Sequence, residues 1–133
     1  MRTLKPGLTG QSTLVVEEIH TAQHLKSGAI DVLATPIMVA LMEEAARNSV
    51  DPHLEPGELS VGTAIEVAHR AATPIGMRVT GRAELLSVEG RKLTFRVMAE
   101  DEHEIIGQGV HTRAIVNREN FLGRVKNKAG YNR

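Results

Sequence analysis

The stretch that decides the fold is TPIMVALMEEAARNS, residues 35–49 of a chain of 133 residues. It predicts a helix, because Thr35 is a good N-cap, Pro36 suits the first helical position, and an apolar run follows without a polar break. That run makes the first turns apolar nearly all round, which is typical of a helix that other elements surround. The pair Asp51-Pro52 predicts its end.

After this helix, alternation of apolar and polar residues replaces helical periodicity. The alternation covers residues 61–69, 77–85 and 93–99, and a further strand is expected over residues 105–116. Short turns at Glu89-Gly90 and at residues 101–103 join these segments, as in an antiparallel meander. An earlier strand is expected over residues 12–18. This order predicts an α+β domain in which an antiparallel sheet of about five strands wraps around one long helix.

Length and composition exclude several classes of function. The size is that of one domain, so we expect residues 1–133 to form a single domain with a loose basic tail over about 123–133. Sixteen basic residues balance sixteen acidic ones and aromatic residues are scarce, which argues against a nucleic-acid partner. Cysteine is absent, and neither a signal-peptide core nor a membrane-length apolar run is present, so we expect a cytoplasmic protein with no membrane contact.

Glu43 is a charged residue within the apolar part of the predicted helix. It lies on the stripe of Pro36, Val39 and Ala40, at spacings of three and four residues. In a partly apolar site, a carboxylate can act as a base or nucleophile near neutral pH. The alternative is that this face opens to solvent and that Glu43 and Glu44 are both hydrated, as glutamates mostly are.

His69 closes a predicted strand and shares its parity with Val61, Thr63, Ile65 and Val67, which are expected to face the helix. An imidazole there can move protons or donate to an oxyanion, but a hydrogen-bonded core histidine would show the same pattern. For Thr35, capping is a sufficient explanation. A helix N-terminus also favours developing negative charge, so the sequence does not separate the two roles.

Two further features of the sequence are weaker indications of a binding site. Arg113 shares its predicted strand face with Ile105, Gly107, Gly109 and His111, and it either binds a carboxylate or a coenzyme phosphate or covers the sheet. His20 and His24 are four residues apart but lack the intervening glutamate of a zinc-binding helix, so no metal site is expected.

Taken together, several short segments resemble a known family. They are Ala34–Glu43, Ser60–Thr63, Val67–Gly76, the turn Gly90–Leu93 and the late strand Ile106–Arg113. In order and spacing they are similar to the fluoroacetyl-CoA thioesterase-like branch of the hot-dog superfamily. The likeness covers about residues 9–121, most of the chain.

This resemblance implies an acyl-CoA thioesterase that needs no metal or redox cofactor. It implies a homodimer, alone or paired into a tetramer, with sheets joined edge to edge and active sites near the subunit interface. It implies Thr35, Glu43 and His69 as the catalytic set, and it places Gly62 and Arg113 beside the bound thioester.

The sequence departs from the fluoroacetate-specialised pattern at Leu25–Ile30, where it has none of the aromatic residues expected to close the pocket. We therefore expect a small or medium acyl-CoA substrate rather than fluoroacetyl specificity. Two other functions stay open. One is a hot-dog enoyl-CoA hydratase or dehydratase, although the usual helix motif of those enzymes is absent. The other is a non-catalytic acyl-CoA-binding module.

Overall fold

The computed structural model describes residues 4–130. Strands β1 (Thr9–Val15), β2 (Glu58–His69), β3 (Arg78–Glu89), β4 (Lys92–Glu100) and β5 (Ile105–Asn117) form an antiparallel sheet in the order β1-β3-β4-β5-β2. Helix α1 (Thr35–Val50) connects β1 to β2, and α2 (Arg118–Ala129) follows β5. The predicted α+β architecture, with five antiparallel strands and one long helix against them, is confirmed.

Helix α1 lies across the β1–β3 side of the sheet and buries one face. Met38, Leu41 and Met42 on that face share a core with Leu85 and Phe95 of the sheet. Complete burial of such a side chain stabilises the fold by about 1.5–3 kcal/mol. The sequence predicted a helix surrounded on all sides, but within one chain the opposite face of α1 stays uncovered, because the sheet crosses only one side of it.

Two glycines let α1 approach the sheet closely. A Cβ atom on Gly10 of β1 would lie 2.2 Å from the carbonyl oxygen of Ala45, and one on Gly81 of β3 would lie 2.8 Å from that of Leu41. Both obstacles are helix backbone, which cannot rotate away as a side chain can. A side chain at either position would therefore push α1 off the sheet.

Replacing Gly10 by alanine is expected to lower the free energy of unfolding by about 3 kcal/mol, the upper range for overpacking. The matched control is Gly123→Ala in α2, where an added Cβ meets nothing within 4 Å. This control should raise stability by about 0.5–1 kcal/mol, since alanine is the better helix former. Urea unfolding of both variants measures the difference, and equal stabilities would contradict the close approach at Gly10.

A β-bulge corrects the predicted parity of β2. Pairing with β5 shifts between Gly62 and Ala64, so Thr63 is an extra residue. Beyond the bulge Ile65, Val67 and His69 keep the predicted inward face, whereas before it Ser60 and Gly62 face inward instead of Val61 and Thr63. An alternating pattern assumes strict period two, so the inserted residue reversed the assignment of the first half of the strand.

The ends of other elements also differ from the sequence prediction. The first strand is Thr9–Val15 rather than 12–18. In β5 the register shifts opposite Glu100, so Ile106 is buried and Ile105, predicted to share the face of Arg113, is exposed.

The predicted loose tail is instead mostly the helix α2. The Asn117 side chain accepts a hydrogen bond from the backbone N–H of Asn120, and Gly130 ends the helix in the left-handed conformation with φ 82°. No residue of α2 is buried, so its basic side chains remain in solvent. Residues 131–133 lie outside the described part, and between residues 4 and 130 no helix is long and apolar enough to cross a membrane.

Candidate active site

Thr35 does not cap helix α1. The N-cap is Ala34, whose backbone is held by His20 through a 2.9 Å hydrogen bond, and Thr35 is the first helical residue. The N–H groups of Ile37 and Met38 donate to the Ala34 carbonyl, both at 3.1 Å, and Pro36 has none. The capping prediction is therefore wrong, and the Thr35 hydroxyl is available to another partner.

That partner is His69, at the end of β2. The Thr35 hydroxyl lies 2.7 Å from Nδ1 of His69, across 34 residues of sequence. Nε2 of the same ring is buried and has no hydrogen-bond partner within residues 4–130. Burial lowers the pKa of His69, and the backbone of Ala71 opposes the effect. The imidazole is therefore a neutral base near pH 7.

A cavity of about 330 Å³ borders this pair. Its walls come from the segment before α1 and from the end of β2, and they include Ala22, Ile30 and Ala71 beside Thr35 and His69. Apart from Thr35, His69 and the cation Arg70, the lining is aliphatic or small and has no Phe, Tyr or Trp, and it suits an acyl group.

A larger hollow of about 440 Å³ on the outer face of the sheet contains none of the candidate residues. Both of its cations are already in ion pairs, Arg82 with Glu100 at 2.7 Å and Arg96 with Glu84 at 3.6 Å.

Glu43 lies two turns after Thr35 and is half-buried. A Cβ on Gly62 would lie 2.8 Å from Glu43 Oε2 and 3.6 Å from Nη1 of Arg113, so the glycine leaves room for the carboxylate against β2. Within residues 4–130 the Glu43 carboxylate makes no hydrogen bond. Its neighbour Glu44 differs, being exposed and hydrogen-bonded to the Ser12 hydroxyl, so only Glu44 fits the hydrated alternative.

Arg113 is a buried cation, 4% exposed, held by β2. Its Nε donates to the Ser60 hydroxyl at 2.9 Å and its Nη2 to the Ser60 carbonyl at 3.0 Å. The Ser60 hydroxyl in turn donates to Asp51 at 2.9 Å. Burial lowers the pKa of Arg113, while Asp51 and Glu43 act in the opposite direction, and a guanidinium remains charged in proteins.

The structure thus divides the five predicted residues into two groups. Thr35 and His69 form one group, and Glu43, Gly62 and Arg113 form the other. Eight residues of helix separate Thr35 from Glu43, which is about 12 Å. Seven residues of strand separate Gly62 from His69, which is about 20 Å.

Sequence reasoning missed Ser60 and Asp51, which hold Arg113. Ser60 precedes the predicted strand over residues 61–69, and extending the strict alternation to it would give it an outward face, because the bulge at Thr63 is invisible to that pattern. Asp51 was interpreted only as part of the helix stop. The signal present in the sequence is Gly62, since a glycine inside a strand often marks a bulge.

A sheet curled over one helix defines the class of this chain. A hot-dog-like protein from Thermanaerovibrio acidaminovorans has the same fold, with a TM-score of 0.84 over 92% of this chain and 91% of that one, at 24% identity. The chain therefore has the hot-dog fold, as the sequence resemblance implied.

More specific matches identify the family. The sequence pattern of the fluoroacetyl-CoA-specific thioesterase family matches residues 16–119. A fluoroacetyl-CoA thioesterase of Streptantibioticus cattleyicolor is 53% identical over 98 residues, which are 74% of this chain and 70% of that protein. The crystal structure of a point mutant of the fluoroacetyl-CoA-specific thioesterase is similar with a TM-score of 0.89 and 44% identity, over 96% of this chain and 99% of that one. The chain belongs to this family and is an acyl-CoA thioester hydrolase.

Proposed function

We propose that the chain hydrolyses a small or medium acyl-CoA with Thr35, Glu43 and His69 as its catalytic residues, and with Gly62 and Arg113 beside the thioester. The observation that carries this proposal is the Thr35–His69 hydrogen bond of 2.7 Å at the wall of a cavity lined mainly by aliphatic and small residues. It joins a hydroxyl at a helix N-terminus to a neutral imidazole. Such a pair can hold a carbonyl oxygen and move a proton.

In the proposed reaction the thioester carbonyl lies at the start of α1. The hydroxyl and the backbone N–H of Thr35 donate to the oxygen as negative charge develops on it. Glu43 either attacks the carbonyl carbon, giving an anhydride that water opens, or takes a proton from the attacking water. In both routes the C–S bond breaks, the acyl carbon gains oxygen from water, and the proton that this water gives up reaches the thiolate by way of His69.

A second copy of the chain is proposed to complete each site. The two groups of residues lie too far apart in one chain to act on one carbonyl. Each also has an unused group: the carboxylate of Glu43 in one, and the buried Nε2 of His69 in the other. An unpaired buried nitrogen is costly. When the Thr35 hydroxyl donates to Nδ1, the ring hydrogen is on Nε2, and a carboxylate from a partner subunit would accept it.

The edge of the sheet supports the way two copies would join. Strand β2 is a long edge strand, and its exposed backbone invites pairing with another strand unless something covers it. Antiparallel pairing of two β2 strands about a two-fold axis near Ile65 and Glu66 would set Gly62 opposite His69 of the partner subunit. Glu43 would then approach the Thr35–His69 pair of the other chain, and the uncovered face of α1 would be enclosed.

The proposed substrate range follows from the wall of the cavity. Ser27, Gly28 and Ile30 supply this wall, and no aromatic ring narrows it. The family relatives carry fluoroacetyl-CoA in their names, but this cavity of about 330 Å³ is lined mainly by aliphatic and small residues, with Arg70 as the cation among them. Apolar acyl chains of a few carbons are the better match.

A thiol-release assay over acyl-CoAs of increasing chain length tests the function. We expect turnover of several small and medium acyl-CoAs, with fluoroacetyl-CoA not preferred over acetyl-CoA by more than about tenfold, since one small substituent discriminates weakly in an apolar pocket. Crotonyl-CoA serves as the control, because hydration without thiol release would indicate a hydratase. Saturable binding without thiol release would indicate a binding module and would contradict the proposal.

A further inference from the structure

His111 of β5 is a buried titratable residue with no part in the proposed reaction. It is 1% exposed, and its ring stacks on Phe95 of β4 with a centroid distance of 6.0 Å. Nδ1 lies 2.8 Å from the carbonyl oxygen of Ala64, and Nε2 lies 3.1 Å from Nη1 of Arg113. Both ring nitrogens are therefore engaged, one with β2 and one with the buried cation.

These two contacts fix the protonation state of the ring. A carbonyl oxygen only accepts, so Nδ1 must carry the hydrogen and donate to Ala64. A guanidinium only donates, so Nε2 must be unprotonated and accept from Arg113. The geometry admits one neutral tautomer, with its hydrogen on Nδ1. In a doubly protonated ring, Nε2–H would face the N–H of Arg113, so that two donors and two positive charges would lie against each other.

The same contacts connect His111 to the site around Glu43. Ala64 directly follows the bulge at Thr63, which turns Gly62 towards the carboxylate. A Cβ at Gly62 would lie 3.3 Å from Cε1 of His111. The ring therefore packs against the bulge and accepts from Nη1 of Arg113, while Ser60 accepts from Nε and Nη2 of the same guanidinium.

We propose that His111 is a positioning residue of the thioesterase site: its neutral, Nδ1-protonated ring holds the Arg113 guanidinium and the bulge of β2 in the arrangement that presents Glu43. The inference rests on the proposed role of Glu43. His111 does not touch the substrate. It acts through Arg113 and Gly62, so its loss changes turnover more than substrate binding.

The surroundings of His111 set the direction of its pH dependence. The charged groups that face it are Arg113 on its own strand and Glu43 from α1, while β2 offers the Ala64 carbonyl and β4 the uncharged Phe95. Burial lowers the pKa of His111, and the positive charge of Arg113 lowers it further. The hydrogen bond to the Ala64 backbone and the negative charge of Glu43 act in the opposite direction and raise that pKa. The ring is thus neutral at pH 7 and gains a proton only as the pH falls below about 6.5.

Two isosteric variants separate the two contacts. His111→Gln places an amide oxygen near Nε2 and keeps an acceptor for Arg113, whereas His111→Asn keeps a donor for Ala64 and loses that acceptor. We expect His111→Asn to lower kcat about tenfold at pH 8 with KM changed less than about twofold, and His111→Gln to stay within about threefold of the wild type. His103→Gln, on an exposed turn, is the control and should leave kcat unchanged.

The pH profile and the tautomer decide the proposal. At acidic pH, kcat should fall less steeply with pH in His111→Gln than in the wild type. The variant loses activity only through protonation of His69, whereas in the wild type protonation of His111 adds to the loss. Nitrogen-15 NMR of the wild-type imidazole should show hydrogen on Nδ1 at pH 7, whatever the turnover. An Nε2–H tautomer, or equal kcat values and pH profiles in all variants, would overturn the role of His111. A correct tautomer in a chain that releases no thiol would refute the proposed function instead.

Discussion

Replacing Glu43 by glutamine is expected to lower kcat by about 10³-fold, because the amide can neither attack a thioester nor take a proton from water. The change is nearly isosteric, and the carboxylate makes no hydrogen bond within residues 4–130 that the fold would lose. The melting temperature should therefore stay within a few degrees of the wild type. Thiol release from acyl-CoA, followed alongside circular dichroism, measures both quantities.

The neighbouring glutamate gives a matched control for this variant. Glu44 is exposed on the same helix, and within residues 4–130 its carboxylate accepts only from Ser12. Glu44→Gln should keep kcat within about twofold of the wild type, as expected of a surface position. Full turnover by folded Glu43→Gln would exclude Glu43 from the chemistry, and an equal loss in Glu44→Gln would show that charge on the helix matters rather than one carboxylate.

Mixing two inactive variants is expected to restore activity. In the proposed homodimer, Glu43→Gln and His69→Gln each damage every site. When the chains re-pair at random, half of the dimers are mixed and each has one intact site of two, so turnover should recover to about a quarter of the wild type. The physical reason is the separation of about 12 Å between Thr35 and Glu43 along α1, because of which the carboxylate and the imidazole of one site come from different chains in the proposed dimer.

A second mixture makes this test specific. Thr35 and His69 are bonded to each other within one chain, so Thr35→Val mixed with His69→Gln leaves no site with both residues intact. We expect no recovery from this pair. Recovery of activity in both mixtures would indicate contamination with wild-type protein. Recovery in neither, with mixed dimers demonstrated by differential tagging, would contradict the shared site and place the whole catalytic set within one chain.

Much of the fold is a local property of the chain and could be predicted from it. The apolar run after Pro36 predicted a helix over residues 35–49, and in the structure this helix ends one residue later, at Val50. Alternation predicted β3 and β4 with their buried faces, because side chains of a strand point to opposite sides in turn. Prediction was poorer at the ends of elements, because capping residues decide where a helix begins and ends. Asn117 and Gly130 cap α2, although the composition of this segment indicated a loose tail.

The candidate site was only half visible in the sequence. Glu43 and His69 stood out because a charged or titratable group occupied a position where the pattern called for an apolar one. For Thr35 the pattern gave the wrong structural role, and the family resemblance supplied the catalytic one. No periodicity could reveal that its hydroxyl lies 2.7 Å from an imidazole 34 residues away, because the backbone of Ala34 had first to be held by His20.

The sequence by itself therefore determined which segments form helix and strand, and which two polar residues are out of place. Tertiary structure decided how those residues are grouped. A single extra residue at Thr63 reversed the faces of β2, brought Ser60 and Gly62 inward, and created the setting of Arg113 and Glu43. The physical reason is that periodicity reports on neighbours along the chain, whereas a bulge, a buried guanidinium and its hydrogen bonds depend on partners that only pairing between strands brings together.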